Sequence, residues 1–400
     1  MDFFVLSDKI KSMKRYDVII IGAGAAGLAA TGQICANGGR ALVLEMGGAP
    51  ARKVMASGGG NCNITNTAAN YNRYFGKNPN FVRSALSQVP PADILTWAEK
   101  HNIKLYQKTP GRYFCSNGAG VVVDALTHDA RKADILYNEN VTSVEKENDL
   151  FVVNKKFASD ALVIATGGVS FPVLGVSDMG YKIAKQFGHK IVPVRPALCA
   201  IVINDVNSEL SGITIDAQVT VGREIICDSM LFTHFGIGGP LAYRASLYDL
   251  DNGIEINLLP NLDLYEHLRK EKQSHGRKKL AGILSELLPT RIAKWITQND
   301  VRNIADIKDT ELKQISMKVC NWFIPKEKLK LHGMHAAEVV RGGIDVNDIS
   351  SKTMESKICS GLFFAGEVMD IAGDLGGFNL QWAWASGRVA GINAYKRKDE

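Results

Sequence analysis

The chain has 400 residues, of which 46% are hydrophobic and 22% charged, a composition typical of a folded protein with two or three domains. No uninterrupted apolar run approaches the length of a membrane span, and the first six residues lack the pattern of a secretory signal peptide, so we expect a cytoplasmic protein without membrane contact. The seven cysteines are widely spaced, which excludes a CxxC redox motif and a zinc ribbon.

The positive charge is concentrated in one segment. The net charge is +6, and residues 261–330 contain 15 Lys and Arg against 9 Asp and Glu, a difference of the same size. Such a pattern is compatible with a solvated helical surface, and also with a surface for RNA or another acidic partner.

Residues 16–45 predict a strand, a helix and a second strand. Tyr16–Ile21 is rich in β-branched residues, an alanine-rich helix follows, and Ala41–Glu45 is again apolar. Between the first strand and the helix lies Gly22-Ala23-Gly24-Ala25-Ala26-Gly27, a GxGxxG pattern in the context that dinucleotide binding requires.

Each glycine of this pattern has a physical reason. Gly22 makes the turn, Gly24 lets the backbone approach a pyrophosphate, and Gly27 packs the helix on the strand. The helix N-terminus then faces the phosphate charge. Glu45 ends the second strand, where a carboxylate accepts hydrogen bonds from ribose hydroxyls and repels a 2′-phosphate.

Two later strands also end in glycine. Residues 160–165 run into Thr166-Gly167, and residues 361–365 run into Gly366-Glu367. Since ligands of open α/β sheets gather at the carboxyl ends of strands, these endings are expected to converge on one ligand. The predicted fold class is α/β, a three-layer Rossmann-like domain with a mostly parallel sheet, formed by both ends of the chain.

The middle of the chain predicts an insertion. Residues 193–260 show short β-rich pieces typical of a small barrel, and residues 261–335 are helical and charged. The expected domains are therefore 1–192 and 336–400 for the nucleotide-binding domain, and 193–335 for the insert.

Several segments of the chain resemble a bacterial family of NAD(P)/FAD-dependent oxidoreductases, which includes aminoacetone-oxidase-like flavoproteins and a bile-acid dehydro-intermediate reductase. These segments are 51–66, 231–240, 352–357, 364–370 and 376–381, and the resemblance extends over nearly the whole chain. It implies non-covalent FAD, a single Rossmann domain, and an inserted β-barrel and helical domain. NAD(P)H would then react transiently, without a dinucleotide domain of its own.

The resemblance also implies cofactor contacts along the chain. These fall at Gly22, Gly24, Ala26, Gly27, Glu45, Arg52, Lys53, Gly60, Asn61, Val141, Thr166, Gly167, Gly366, Glu367, Asn379 and Leu380. Glu367 is expected to accept a ribityl hydroxyl, and the helix beginning near Asn379 to face the flavin N1–O2 edge with its N-terminus. Asn61 departs from the family, which usually has arginine there, so substrate preference is expected to differ.

Two residues are weak catalytic candidates. Cys62 is either a packed structural thiol or a redox-active one, and His234 is either a structural residue or a proton donor. The spacing of the histidines predicts no metal site.

These features together predict an FAD-dependent oxidoreductase that transfers hydride at flavin N5, acts on a small organic molecule, and uses NAD(P)H or O2 as second reactant. A flavin-dependent enzyme that modifies tRNA or another RNA is the alternative, and a non-catalytic FAD-bound sensor is a third class. The substrate, the physiological electron donor and the oligomeric state are left open by the sequence.

Overall fold

The computed structural model describes residues 13–147 and 149–396. The first six residues, whose composition argued against export, lie outside this part of the chain. The described residues form two compact units, one containing the chain up to Arg195 together with Val339 onward, and the other containing Pro196–Glu338. Among the described residues, no helix combines the length and the apolar character needed to cross a membrane.

The strands of the described residues are numbered in chain order. They are β1 (Lys14–Ile21), β2 (Ala41–Glu45), β3 (Asn63–Asn66), β4 (Tyr74–Phe75), β5 (Leu105–Thr109), β6 (Arg112–Cys115), β7 (Asp134–Tyr137), β8 (Val144–Glu147), β9 (Leu150–Val153), β10 (Phe157–Ile164), β11 (Ile191–Ala197), β12 (Ile201–Ile203), β13 (Thr214–Val221), β14 (Glu224–Thr233), β15 (Gly236–Gly238), β16 (Ile254–Asn257), β17 (Trp322–Ile324), β18 (Leu329–Leu331), β19 (Val339–Ile344), β20 (Leu362–Phe364) and β21 (Ala372–Gly373).

The α-helices of the described residues follow the same order. They are α1 (Ala25–Ala36), α2 (Arg52–Ala56), α3 (Val82–Gln88), α4 (Pro91–Lys100), α5 (Gly120–Asp129), α6 (Met179–Gln186), α7 (Gly239–Ala245), α8 (Leu264–Ser274), α9 (Leu280–Leu287), α10 (Thr290–Thr297), α11 (Asp309–Cys320) and α12 (Phe378–Lys396).

The main sheet of the first unit has the order β7-β2-β1-β10-β9-β8, and β20 also pairs with β10. Strands β7, β2, β1, β10 and β20 are parallel, whereas β9 and β8 are antiparallel. The strands β9 and β20 divide one edge of β10, since β9 pairs with Phe157–Ser159 and β20 with Leu162–Ile164. The predicted α/β class with a mostly parallel sheet is confirmed.

The helices α1 and α12 pack closely in the first unit. A Cβ on Gly387 or Gly391 would collide with the carbonyl oxygens of Ala26 and Ala30. Glycine is therefore required where the last helix crosses the first, and this contact joins the two sequence segments of the unit. Three small sheets complete it, formed by β3-β6-β5, β4-β21 and β11-β19.

The second unit contains an antiparallel sheet and a group of helices. The sheet order is β17-β16-β13-β14-β15-β12-β18. Alternate residues of β13, such as Ala217, Val219 and Val221, face the core because side chains of a strand alternate between its two faces. Leu280, Ile283 and Leu284 of α9 are buried at helical spacing in the same core. This unit therefore has a hydrophobic core of its own.

Candidate cofactor site

The turn between β1 and α1 requires glycine at two positions. Gly22 has a φ of +105°, and a Cβ there would lie 2.5 Å from the carbonyl oxygen of Ala165, which follows β10. A Cβ on Gly27 would collide with the carbonyl oxygen of Gly22. These two glycines thus bring β1, β10 and α1 together so closely that any side chain would force the backbone apart.

Gly24 has the opposite environment. A Cβ placed there would meet no atom within 4 Å. Within the described chain no side chain caps the N-terminus of α1, and its first turn contains no acidic residue. Free N–H groups beside open space, at the positive end of a helix dipole, fit the pyrophosphate of a dinucleotide.

Glu45 lies at the end of β2 with an exposed fraction of 9%. Its Oε2 accepts a hydrogen bond from the Ala23 N–H at 2.8 Å, and its Oε1 accepts one from the Gly47 N–H at 2.8 Å. The Arg52 guanidinium lies 3.4 Å from Oε1. A carboxylate has about four lone-pair positions, so Glu45 holds the turn and retains acceptor capacity for ribose hydroxyls.

Glu367 follows β20 and is surrounded by donors. It accepts hydrogen bonds from the Lys53 ammonium at 3.0 Å and from the Val340 N–H at 3.0 Å. The Gly168 N–H lies 3.3 Å away, and Lys53 also donates to the Ser170 hydroxyl at 2.9 Å. Arg52 and Lys53 are neighbours in sequence, but they pair with carboxylates at the ends of different strands.

Thr166, in the turn after β10, has a buried hydroxyl with no hydrogen-bond partner among the described residues. Beside it, Gly167 has a φ of +73°, and the nearest atom to a Cβ there is Glu367 Oε2, 4.0 Å away. An unsatisfied buried hydroxyl costs about 1–3 kcal/mol. Its position beside an open glycine fits a turn that covers a bound ligand.

The loop of residues 57–62 combines a left-handed backbone with open space. Gly59 and Gly60 have φ values of +65° and +86°, and a Cβ on either would meet no atom within 4 Å. Asn61, the position that departs from the family, is tied through its carbonyl, which accepts the Cys115 N–H at 2.8 Å. The glycines therefore leave room on the outer side of the loop.

Cys62 is fully buried and hydrogen-bonded to Cys115 of β6. This bond, followed by burial, raises the pKa of the Cys62 thiol, and the same bond lowers the pKa of Cys115. Cys62 is thus a buried thiol that lies beside a second cysteine, one that is far away in sequence. Sequence spacing did not reveal Cys115, because the two residues meet only through the pairing of β3 with β6.

Three of the remaining predicted contacts, Asn379, Leu380 and Val141, lie at two further places in the first unit. Asn379 is hydrogen-bonded to the end of β21, since it donates to the Gly373 carbonyl at 2.9 Å and accepts from the Gly373 N–H at 2.7 Å. Leu380 beside it is half-buried. Val141 is buried two residues after Glu139, whose N–H donates to the Glu45 carbonyl at 3.0 Å.

The weak catalytic candidate His234 belongs to the second unit, where it is exposed and part of an aromatic group. Its ring lies 4.8 Å from that of Phe235, which stacks on His332 at 4.2 Å with an interplanar angle of 12°. His335 lies 5.0 Å from His332. Desolvation, His335 and His234 all lower the pKa of His332, so this imidazole is mainly neutral at pH 7.

Comparison with known proteins finds relatives that align with nearly the whole chain. The family described as HI0933-like protein Rossmann domain matches residues 16–393. Proteins named ribosomal RNA dihydrouridine synthase from Escherichia coli and Haemophilus influenzae are 36% and 38% identical to the chain. The alignments cover 94% of this chain in both cases, and 96% and 97% of the relatives.

A more distant relative is the 3-dehydro-bile acid delta(4,6)-reductase of Clostridium scindens, 28% identical over 94% of this chain and 98% of the relative. The predicted cofactor, FAD, is confirmed, and the donor set at the three strand ends fits it. The aminoacetone-oxidase branch of the expected family stays a prediction.

Proposed function

Since the chain belongs to the HI0933-like Rossmann family of FAD proteins, we propose that it reduces a uracil base of ribosomal RNA to dihydrouracil. The observation that carries this proposal is the identity of 36% and 38%, over nearly the full length of both chains, to the two relatives with that name. The RNA-modifying alternative considered for the sequence thereby becomes the leading function.

The named relatives share one type of reaction. Dihydrouridine differs from uridine by saturation of the C5–C6 bond, which is conjugated to the C4 carbonyl. A delta(4,6)-reductase of a 3-dehydro steroid likewise acts on carbon–carbon double bonds conjugated to a ketone. Both reactions need hydride at the carbon of the double bond that is farther from the carbonyl, and a proton at the other carbon of that double bond.

FAD, when bound, supplies the hydride at N5. The chain's own contribution begins with binding, for which the N-terminus of α1 and Gly24 offer N–H groups to the pyrophosphate and Glu45 offers acceptors to the ribose. Glu367 and Lys53 join β20 to the turn after β10. His234, an exposed residue of the second unit, stays a prediction as a proton donor.

The basic segment supports an RNA substrate. Part of its charge is internally neutralised, for example by the Lys272–Asp309 ion pair at 2.8 Å and the Arg302–Glu311 pair at 2.8 Å. Other cations of the segment are exposed and form no ion pair with any described residue: Lys270, Arg277, Lys279, Lys294, Lys313 and Lys318. Exposed cations of this kind bind phosphates, and their contribution weakens steeply with salt.

The test uses the full chain loaded with FAD, and ribosomal RNA transcribed in vitro, which carries no modified bases. Protein and RNA are incubated anaerobically with NADPH or NADH, and the RNA is digested to nucleosides for mass spectrometry. We expect a nucleoside heavier than uridine by two hydrogen atoms, formed only when FAD and a reduced nicotinamide are both present.

A second candidate is reduction of a small conjugated ketone, which the bile-acid reductase relative favours. The same protein is therefore offered a panel of enones, and flavin bleaching is followed by absorbance. Turnover of an enone with no dihydrouridine in any ribosomal RNA would replace the RNA proposal with this one. Oxidation of amines by O2, with no reduction by NAD(P)H, would contradict both.

A further inference from the structure

Two imidazoles and a carboxylate meet where α4 and α5 end. His101 directly follows α4, and His128 and Asp129 are the last two residues of α5. His101 Nε2 lies 3.1 Å and His128 Nδ1 lies 3.8 Å from the same oxygen, Asp129 Oδ1. The three ligand atoms all lie within 4.8 Å of one another. We propose that this group binds a divalent transition-metal ion of the Zn2+ type.

The distances suit such an ion. Zn2+ binds imidazole nitrogen and carboxylate oxygen at about 2.0–2.1 Å, so neighbouring ligands of a tetrahedral site lie about 3.3 Å apart. The observed values of 3.1 and 3.8 Å lie on either side of that separation. Small rotations of His128, whose side chain is 60% exposed, close the remaining difference. Three protein ligands leave a fourth position for water.

A neighbouring side chain orients the carboxylate. The indole N–H of Trp97 donates to Asp129 Oδ2 at 2.7 Å, which leaves Oδ1 directed at the two imidazoles. Metal-binding carboxylates are held by hydrogen bonds of this kind, and their loss weakens binding. The Trp97 ring also lies 5.0 Å from the His101 ring, so its fluorescence reports on the site.

The local electrostatics contain favourable and opposing contributions. The C-termini of two helices meet at this group, and their dipoles favour a cation. Arg131 opposes it, because its Nη1 lies 3.3 Å from His128 Nδ1. Since arginine only donates, His128 Nδ1 accepts this contact and has the lone pair that a metal needs. Arg131 also donates to the His128 carbonyl at 2.8 Å, a bond that a metal at Nδ1 leaves intact.

A second guanidinium lies near the site as well. Arg388 lines a small cavity together with Asp129 and Trp97, and burial lowers its pKa while Asp93 and Asp129 raise it. The charge of Asp129 is therefore shared between Arg388 and the proposed ion. The site is expected to be weaker than a structural zinc centre for this reason, and to exchange its ion with solvent.

The experiment titrates the untagged, FAD-loaded chain with ZnCl2 by calorimetry, and with CoCl2 by visible absorbance and tryptophan fluorescence. We expect saturable binding and ligand-field bands typical of a four-coordinate Co2+ site. His101→Gln and His128→Gln should each abolish these bands, and Trp97→Phe should weaken Zn2+ binding roughly 10- to 100-fold. Arg131→Gln should strengthen it several-fold, since a competing cation is removed.

The matched control is His275→Gln. His275 Nδ1 lies 3.2 Å from Glu271, a similar imidazole–carboxylate pair, but no third ligand group among the described residues lies close enough to complete a metal site there. This variant should bind Zn2+ and Co2+ like the wild type. The proposal is overturned if the wild type shows no saturable binding, if His101→Gln and His128→Gln both bind normally, or if His275→Gln loses binding to the same extent.

Discussion

The two glycine-rich segments of the first unit, 22–27 and 57–62, use glycine for different reasons. In the first, Gly22 and Gly27 are crowded by backbone atoms and allow β1, β10 and α1 to touch. In the second, Gly59 and Gly60 have positive φ values but open surroundings, so only the backbone conformation requires them. A glycine run therefore marks either close packing or a left-handed backbone, and only the neighbours distinguish the two.

The largest effect is expected for Gly27→Ala, the most crowded position of the first segment. The new Cβ would meet the Gly22 carbonyl and force the strand and helix apart, at a cost of about 3 kcal/mol in the free energy of unfolding. Two measurements test this: the FAD content of the purified variant, and its free energy of unfolding in urea. Gly32→Ala in the same helix is the control, since its Cβ would meet only the Asp129 Cβ at 3.2 Å and should cost far less.

Glu45→Ala removes the carboxylate that holds the first segment through the Ala23 N–H. Loss of charge-assisted hydrogen bonds of roughly 1.5–3 kcal/mol should raise the FAD dissociation constant about 10- to 150-fold, measured by fluorescence titration of the apoprotein. Glu139→Ala, which removes a nearby carboxylate paired with Lys156 at 3.2 Å, should leave FAD affinity unchanged. Equal affinity of Glu45→Ala and wild type would refute the assignment of Glu45 to the ribose.

Gly24→Ala tests whether a glycine of the first segment is needed for FAD binding and not for the packing of the protein. Because the added Cβ meets no protein atom and Gly24 has an ordinary φ of −77°, the apoprotein should unfold at the same urea concentration as the wild type. The FAD dissociation constant should nevertheless rise roughly 10-fold, since the methyl group displaces a phosphate from its N–H donors. A stable apoprotein with unchanged FAD affinity would place the pyrophosphate elsewhere.

The smallest effect is expected for Gly59→Ala in the second segment. Its Cβ also meets no protein atom, so the cost is only that of a left-handed backbone for a residue with a side chain, about 1 kcal/mol. The free energy of unfolding of the Gly59→Ala apoprotein is measured in urea and compared with that of Gly24→Ala, which lacks this strain. A cost above about 3 kcal/mol would mean that the loop is packed more tightly than the structure shows.

The sequence predicted the strand pairing correctly where each of the paired strands has a clear sequence pattern. The strands before Gly22, Thr166 and Gly366 are continuous apolar runs that end in glycine, and they do form one parallel sheet. The sheet β3-β6-β5 was not foreseen, because its strands are short and their residues do not alternate between buried and exposed.

The same limit applies to side-chain clusters. Cys62 meets Cys115 through the pairing of β3 with β6, and Phe235 meets His332 because β15 and β18 both pair with β12. His101 and His128 lie at the ends of two separate helices, so no motif such as HxxxH indicates that they come together. Glu367 was assigned to a ligand from its motif, and its pairing with Lys53 followed only from the convergence of strand ends. The sequence thus assigns roles to single residues within a motif, whereas the partners of those residues are seen only in the structure.

The contact of α12 with α1 has a consequence for synthesis on the ribosome. Helix α1 is made well before helix α12, so the surface presented by Ala26 and Ala30 is covered only after the distant Gly387 and Gly391 have also been made. Strand β10 likewise lacks its hydrogen-bonding partner β20 until that later segment has been synthesised. The second unit is continuous in sequence and has its own core, so it can fold earlier. The nascent cofactor domain therefore carries exposed apolar surface for most of its synthesis, and it is the part of the chain that most needs chaperone protection.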